Sequence, residues 1–226
     1  MRFCLLLLLF IGITEVNAQG SVRDFDLGGS AYILDEECIR LTPDIPYVSG
    51  SAWHREPIDL SRGFEMIICL VLGEKNLPGA DGIVFVFHPR KLTGYRGEGM
   101  GFGGLVPSLG IEFDTYQNQH LGDPSADHLS IMPNGRTHQI QSLLGPVLLP
   151  NLEDGTKHPL RILWDPELQQ LEIQLDGEQR ALYQGDIIND IFGGNSIVYW
   201  GATAATGRKF NYQDVCIKRL VYAGEK

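Results

Sequence analysis

Between Glu112 and His128 the chain concentrates carboxylate, amide and imidazole side chains. The run reads Glu112-Phe113-Asp114-Thr115-Tyr116-Gln117-Asn118, then Asp123-Pro124, then His128. The stretch just before it, Ser108 to Phe113, reads as a mostly buried strand, in which alternate residues share a face. Ile111 and Phe113 then point one way, Glu112 and Asp114 the other. Two carboxylates side by side at the end of an apolar strand repel each other and lose hydration. No Lys or Arg lies between Gly97 and Gly135 to compensate them, so a bound cation is the economical partner. The bland reading is a set of polar turn residues with a solvated histidine. It suits any one residue but not all six, because a buried carboxylate cluster is hard to keep without a cation.

The donors divide by chemistry. Glu112, Asp114, Asp123 and His128 mix carboxylates with an imidazole, a set that suits a transition metal such as Mn2+ or zinc. Asp114, Asn118, Asp123 and the backbone carbonyl near Tyr116 are all oxygen donors, a set that suits Ca2+. Asp114 and Asp123 each carry two oxygens and can serve both ions. A turn at Gly122-Asp123-Pro124-Ser125 would fold Asp123 and His128 back toward the strand.

The elements that must carry these residues read as strands. Short apolar runs recur between turn signals, at Ala31–Leu34, Phe64–Leu72, Ile83–Phe87, Leu109–Phe113, Leu160–Trp164, Leu171–Leu175, Ile197–Trp200 and Val215–Tyr222. No segment keeps a helical period with caps. The spacing, with 27 glycines for tight turns, predicts one large all-β sandwich. Asp176-Gly177 between two such runs is a hairpin signal, and Asp186 to Phe192 suits one short helical turn. Trp53 and Trp200 read as core aromatics. His54, His88, His120, His138 and His158 lack convergent carboxylates in the sequence and read as surface or loop residues.

Residues 1–18 read as a secretory signal peptide, with Arg2, the apolar stretch Cys4 to Ile13, and Val16-Asn17-Ala18 as the cleavage site. Residues 19–226 form the single domain. The apolar stretch is short for a membrane span and no second one follows, so no transmembrane anchor is expected. A secreted, extracellular or cell-surface protein results. In that compartment a Cys38–Cys216 disulfide between the first and last strands is one arrangement. Three free, buried cysteines are the other. Cys69, within an apolar run, reads as a buried apolar residue. The net charge of −10 argues against nucleic acid, whose phosphates need a basic surface.

The run Glu112-x-Asp114-x-Tyr116-x-Asn118, then Asp123-Pro124 and His128, resembles the double-metal motif of the L-type (legume-like) lectin family. Ala80-Asp81-Gly82, the strand Ile83–Phe87, the glycine loop Gly97–Gly104 and the segment Gly201–Gly207 are similar, in the same order, to the family's other sugar-site segments. The resemblance covers most of Ser30 to Tyr222 and fits a bacterial-type secreted member. It implies a concanavalin A-like antiparallel β-sandwich (jelly roll) that binds a glycan and does no catalysis. It further implies Asp81, Gly99, Gly101, Tyr116, Asn118, Gly207 and Arg208 as the carbohydrate-binding set, with a cis bond before Asp81. Glu112, Asp114, Tyr116, Asn118, Asp123 and His128 would hold Ca2+ and Mn2+ or another transition metal. A homodimer follows only by analogy with the family.

Two other readings compete. Glycoside hydrolases on the same sandwich carry Glu-x-Asp-x-x-Glu, but the last position here is Gln117, which cannot ionise. A retaining hydrolase needs two carboxylates. A sandwich that keeps the fold but serves adhesion without binding sugar is the third reading.

Overall fold

The computed structural model describes residues 20–222. The signal peptide read at residues 1–18 lies outside the described residues. The strands, in chain order, are β1 (Phe25–Gly29), β2 (Tyr32–Ile33), β3 (Cys38–Thr42), β4 (Ser49–His54), β5 (Ile58–Asp59), β6 (Phe64–Val71), β7 (Gly82–His88) and β8 (Leu109–Asp114). There follow β9 (His128–Pro133), β10 (Leu144–Leu148), β11 (His158–Asp165), β12 (Gln170–Leu175), β13 (Glu178–Gln184), α1 (Ile187–Asp190), β14 (Ile197–Ala205) and β15 (Gln213–Tyr222).

They form two antiparallel sheets. The front sheet runs β1-β4-β14-β7-β8-β9-β10, with β5 paired to β14, and the back sheet runs β13-β12-β11-β6-β15-β3-β2. Strand alternation decides what lies between them. Ile83, Phe85 and Phe87 of β7, Ile111 and Phe113 of β8, and Met66, Ile68 and Leu70 of β6 all join one core. Each such side chain contributes about 1.5–3 kcal/mol on burial. The antiparallel jelly-roll sandwich is the expected fold.

The opposite face of the front sheet carries a second apolar cluster. Trp53, Val84, Val86 and Met132 are covered there by Met100, Phe102 and Leu105 of the glycine loop. The loop lies close because β8 has a glycine beneath it. A Cβ at Gly110 would meet the Phe102 ring at 2.8 Å.

Local signals behave as chemistry dictates. Asp176 and Gly177 take φ of 55° and 79°, as the two central residues of a tight hairpin between β12 and β13. The Asp186 carboxylate caps α1 by accepting the Asn189 N–H at 3.0 Å. Trp53 and Trp200 are both buried. Two segments differ from the sequence reading. The strand read at Ile197–Trp200 continues through Gly201–Ala205 as β14, wedged between β4 and β7. A Cβ at Gly201 would strike the Ala52 carbonyl at 2.5 Å, so small residues are what this central strand requires. β4, built from Ser, Gly and Ala with Trp53, carries too little apolar bulk to read as a strand, yet it lies inside its sheet between β1 and β14. Cys38 and Cys216 are joined by a disulfide, and Cys69 is a buried free thiol.

Candidate functional site

The site sits where three adjacent front-sheet strands stop at one level. Gly82 at the start of β7 pairs with Asp114 at the end of β8 and with Ala205 at the end of β14. On the far side Asp114 pairs with His128, the first residue of β9. Three connections therefore emerge side by side: the turn carrying Asp81, the loop from Thr115 to Asp127, and the turn from Thr206 to Lys209.

Glu112 and Asp114 point away from the sandwich core and are buried, as are Asp123 and His128. One ligand atom from each of Asp114, Asp123 and His128 lies within 4.8 Å of the others. Glu112 stands beside them, one rung down β8, opposite Ser130. Burial pushes the Glu112 carboxyl up to about 8, although its hydrogen bond from Gln139 pulls the other way. Burial, then the charges of Glu112 and Asp123, holds Asp114 well above the carboxylate range. Burial also raises Asp123 and lowers His128 to about 4.

An amide that sequence reasoning missed is placed among them. Gln139 Nε2 stands 3.1 Å from Glu112 Oε2, 3.3 Å from Asp123 Oδ1 and 3.0 Å from His128 Nε2. Its Oε1 is fixed by the Ser130 hydroxyl at 2.6 Å. An amide nitrogen has two protons, so it serves at most two of these three acceptors, and it brings no charge. The cluster keeps its excess acceptors, and burial opposes ionisation of its carboxyls, a penalty that a cation would offset.

The oxygen-donor side shows the same deficit. Asp114 Oδ1 accepts the Tyr116 N–H at 2.7 Å, and Asp123 Oδ2 accepts the Asn118 N–H at 2.8 Å. These bonds wrap the loop around the carboxylates. Asn118 Oδ1 is buried with no hydrogen-bond partner.

Asp81 faces this loop across a small cavity of about 190 Å³, lined by Asp81, Glu98, Tyr116, Asn118, Gly207, Arg208 and Lys209. Its Oδ2 is also buried without a partner. Burial, then the nearby Glu98 charge, raises its carboxyl to about 7. The Ala80–Asp81 bond is cis. The backbone here is tied on three sides. The Asp81 N–H donates to Ala205 O at 3.2 Å, the Thr115 N–H donates to Asp81 O at 3.0 Å, and Gln213 Nε2 donates to Ala80 O at 2.9 Å. Gln213 also reaches Ala205 O at 3.2 Å, linking the Asp81 turn to the end of β14.

Of the carbohydrate-binding set drawn from the resemblance, Asp81, Tyr116, Asn118, Gly207 and Arg208 come together around this cavity. Gly99 and Gly101 lie deeper. Both are buried, and their N–H groups are spent within the loop, on Arg96 O at 3.2 Å and Tyr95 O at 2.7 Å. What the loop presents instead is Glu98. A second cavity of about 530 Å³ adjoins the first, sharing Glu98 and Gly207 and adding Tyr47, Arg96, Gly97 and Thr206. Tyr47 is 63% exposed, and its N–H is held by Gly207 O at 3.1 Å. Tyr47 and Gln213 lie far from the Glu112–His128 run, so no local spacing signals them.

His158 departs from its sequence reading. It does meet carboxylates, Asp176 at 2.9 Å and Asp154 at 3.2 Å, because the β12–β13 turn brings Asp176 to it. His120 likewise stands 3.0 Å from Glu98.

A family model described as the legume lectin beta-barrel domain matches residues 16–219. The pesticidal crystal protein Cry22Aa of Bacillus thuringiensis is 27% identical over 175 residues, covering 67% of this chain and 24% of that protein. Vesicular integral-membrane protein VIP36 of Canis lupus familiaris is 32% identical over 119 residues, covering 51% of this chain and 32% of that protein. The chain thus corresponds to only a minor part of either relative. Among solved structures, lectin II from Ulex europaeus superposes with a TM-score of 0.75 at 18% identity, covering 88% of this chain and 93% of that one. The VIP36 exoplasmic/lumenal domain in its Ca2+/Man3GlcNAc-bound form gives 0.72 at 23% identity, covering 91% and 88%. The likeness to these structures shows the shared sandwich. The family match spans almost the whole described chain, and the chain belongs to the L-type (legume-like) lectin family, whose members are carbohydrate-binding proteins rather than enzymes.

Proposed function

We propose that this chain is an exported lectin whose glycan site is ordered by a calcium ion and a neighbouring transition-metal ion. The observation that carries the reading is one convergence. A buried Asp114–Asp123–His128 group adjoins an unpartnered Asn118 Oδ1, and Asn118 and Asp81 face each other across a cavity of about 190 Å³.

Glu112, Asp114, Asp123 and His128 would hold the transition metal. Asp114, Asp123, Asn118 Oδ1 and the Tyr116 carbonyl would hold calcium. Such ions supply positive charge that keeps the carboxylates ionised and the loop ordered. The remaining work falls to the chain itself. Asp81, once ionised, accepts hydrogen bonds from sugar hydroxyls, and charge-assisted bonds of this kind are the stronger ones. Asn118 Nδ2 donates to a hydroxyl, and the Tyr116 ring offers an apolar face. The adjoining cavity gives room for a second sugar against Tyr47.

The exposed Arg208 and half-buried Lys209 border the same cavity with no carboxylate partner among the described residues, a position from which they could meet the glycan. Export rests on the leader at residues 1–18, and the described residues contain no helix long and apolar enough to cross a membrane.

The test is elemental analysis of the purified protein followed by a glycan array in calcium and manganese. Bound divalent ions together with array signals abolished by EDTA are the expected result. A protein that takes up no divalent ion would remove the metal part of the reading. Bound ions without any array signal would favour the adhesion sandwich.

A further inference from the structure

The back sheet carries three sulfurs in one row. β3, β15 and β6 are neighbours in that order. Cys38 stands directly opposite Cys216, and Cys216 directly opposite Cys69. Ile39, Val215, Ile217, Ile68 and Leu70, the residues flanking these cysteines along their strands, belong to the core between the sheets. By strand alternation the cysteines project from the other face. They form a buried cluster of their own there. Cys69 is buried, as its apolar run suggests, and stands beside the Cys38–Cys216 disulfide as the free thiol.

Backbone pairing sets the two spacings. The Ile217 N–H donates to Glu37 O on the β3 side, so the backbone groups of Cys216 point toward β6. Cys216 is then a non-hydrogen-bonded partner of Cys38 and a hydrogen-bonded partner of Cys69. The Cα separation of about 5.5 Å usual for the second kind of pair lies inside the range a disulfide bridges, about 4.4–6.8 Å. Either neighbour of Cys216 can be its partner.

The order of the strands supplies the rest. Exchange at a disulfide is a displacement in which the thiolate attacks one sulfur and the other leaves. It proceeds with the three sulfurs in line. Here the attacker on β6, the central sulfur on β15 and the leaving sulfur on β3 are set across the sheet in that sequence. We infer that Cys69 exchanges with the Cys38–Cys216 bond, so that the protein holds two alternative cystines, Cys38–Cys216 and Cys69–Cys216.

The step balances without an oxidant or reductant. The Cys69 thiol gives its proton to solvent and its sulfur bonds to Cys216 Sγ. The Cys216–Cys38 bond breaks, and the Cys38 thiolate takes up a proton. Burial raises the Cys69 thiol, with Lys218 and Lys157 pulling it down and Glu37 and Asp176 pushing it up. Exchange is accordingly slow in acid and faster in alkali.

The test uses the full protein, incubated without reductant from about pH 6 to about pH 9, where thiolate governs the rate. It is then unfolded in mildly acidic guanidinium with N-ethylmaleimide and mapped as peptic peptides by mass spectrometry. Cap on both Cys38 and Cys69 is expected, with cap on Cys38 appearing sooner at higher pH. Cap confined to Cys69 at every pH overturns the inference. Cys69→Ser guards against incomplete pairing as the source: cap on Cys38 that persists in that variant also overturns it. Cys38→Ser, incubated with oxidised glutathione, should lose both remaining thiols and yield a Cys69–Cys216 peptide. Two free thiols in that folded variant count against the second cystine.

Discussion

Asp114, Asp123 and His128 in the front sheet and Asp154, Asp176 and His158 at the back are the same residue types in close contact. His128 Nε2 lies 3.9 Å from Asp123, and His158 lies 3.2 and 2.9 Å from its two aspartates. Exposure separates them. The His128 and Asp123 side chains are each 1% exposed, whereas Asp154 is 40% and Asp176 33% exposed. Solvent reaches the two aspartates of the second group; burial pushes the Asp154 carboxyl up, but hydrogen bonds from Thr156 together with the neighbouring His158 outweigh it and keep it below the usual carboxylate range. The first group has no water to lean on, and burial pushes its carboxyls up and its imidazole down. Two aspartates and a histidine do not make a cation site. Their removal from water makes the first group the candidate.

The comparison breaks first at Asp114, which belongs to both donor sets. Asp114→Ala should abolish binding of both ions and reduce glycan affinity by more than about a hundredfold, since a charge-assisted bond is worth about 1.5–3 kcal/mol and several go at once. Elemental analysis and calorimetric titration read the two losses, and retention of both ions would defeat the shared-ligand reading. Asp81→Asn should cost about a hundredfold in glycan affinity, on the same scale, while leaving the metal content unchanged. A loss of metal there would mean that Asp81 belongs to the ion site instead.

The third test turns on sign. A carboxyl with a raised folded pKa contributes stability that is fully present below its unfolded pKa and lost as pH rises through the folded one. For Glu112 that window runs from its ordinary 4.5 to about 8. His128 runs the other way, its contribution being lost as pH falls from its ordinary 6.5 toward about 4. Above the histidine window only the carboxyls act. Chelated protein should therefore lose about 1.4 kcal/mol per pH unit for each titrating carboxyl as pH rises toward about 8. Protein saturated with calcium and manganese should not, and parallel denaturant-midpoint curves with and without metal would count against the cluster as a cation site. The smallest effect belongs to the exposed trio. Asp176→Asn should change neither metal content nor melting temperature measurably, as is usual for a surface substitution. A bound ion lost there would erase the contrast.

How much of this was legible in the sequence follows from what each residue depends on. Glu112, Asp114, Asn118, Asp123 and His128 lie within one short stretch, and a strand period plus a missing counter-charge was enough to group them. The sandwich was legible through its apolar runs. Gln139 was not, because its place among the carboxylates depends on where β9 ends and a 3-10 turn begins, not on local spacing. Gln213 reaches the site from β15 through its bond to Ala80 O, and Tyr47 through its N–H bond to Gly207 O, both across more than half the chain. The glycine loop was found but its presenting residue was not. Counting glycines says where a tight turn lies, not which N–H groups the turn itself consumes.

The cluster under the glycine loop shares no buried residue with the cluster between the sheets. The loop also bonds largely to itself, Gly94 to Gly101 and Tyr95 to Gly103 among others. Its apolar side chains cover the outer face of the front sheet and take no part in the core between the sheets, so its contacts can be lost while that core stays closed. Amide protons from Gly94 to Gly104 should then exchange faster than those of β7 and β8 beneath them. Arg96, Gly97 and Glu98, the loop residues that line the two cavities, are separate from the buried Met100, Phe102 and Leu105, so that wall can change there without uncovering the apolar face beneath.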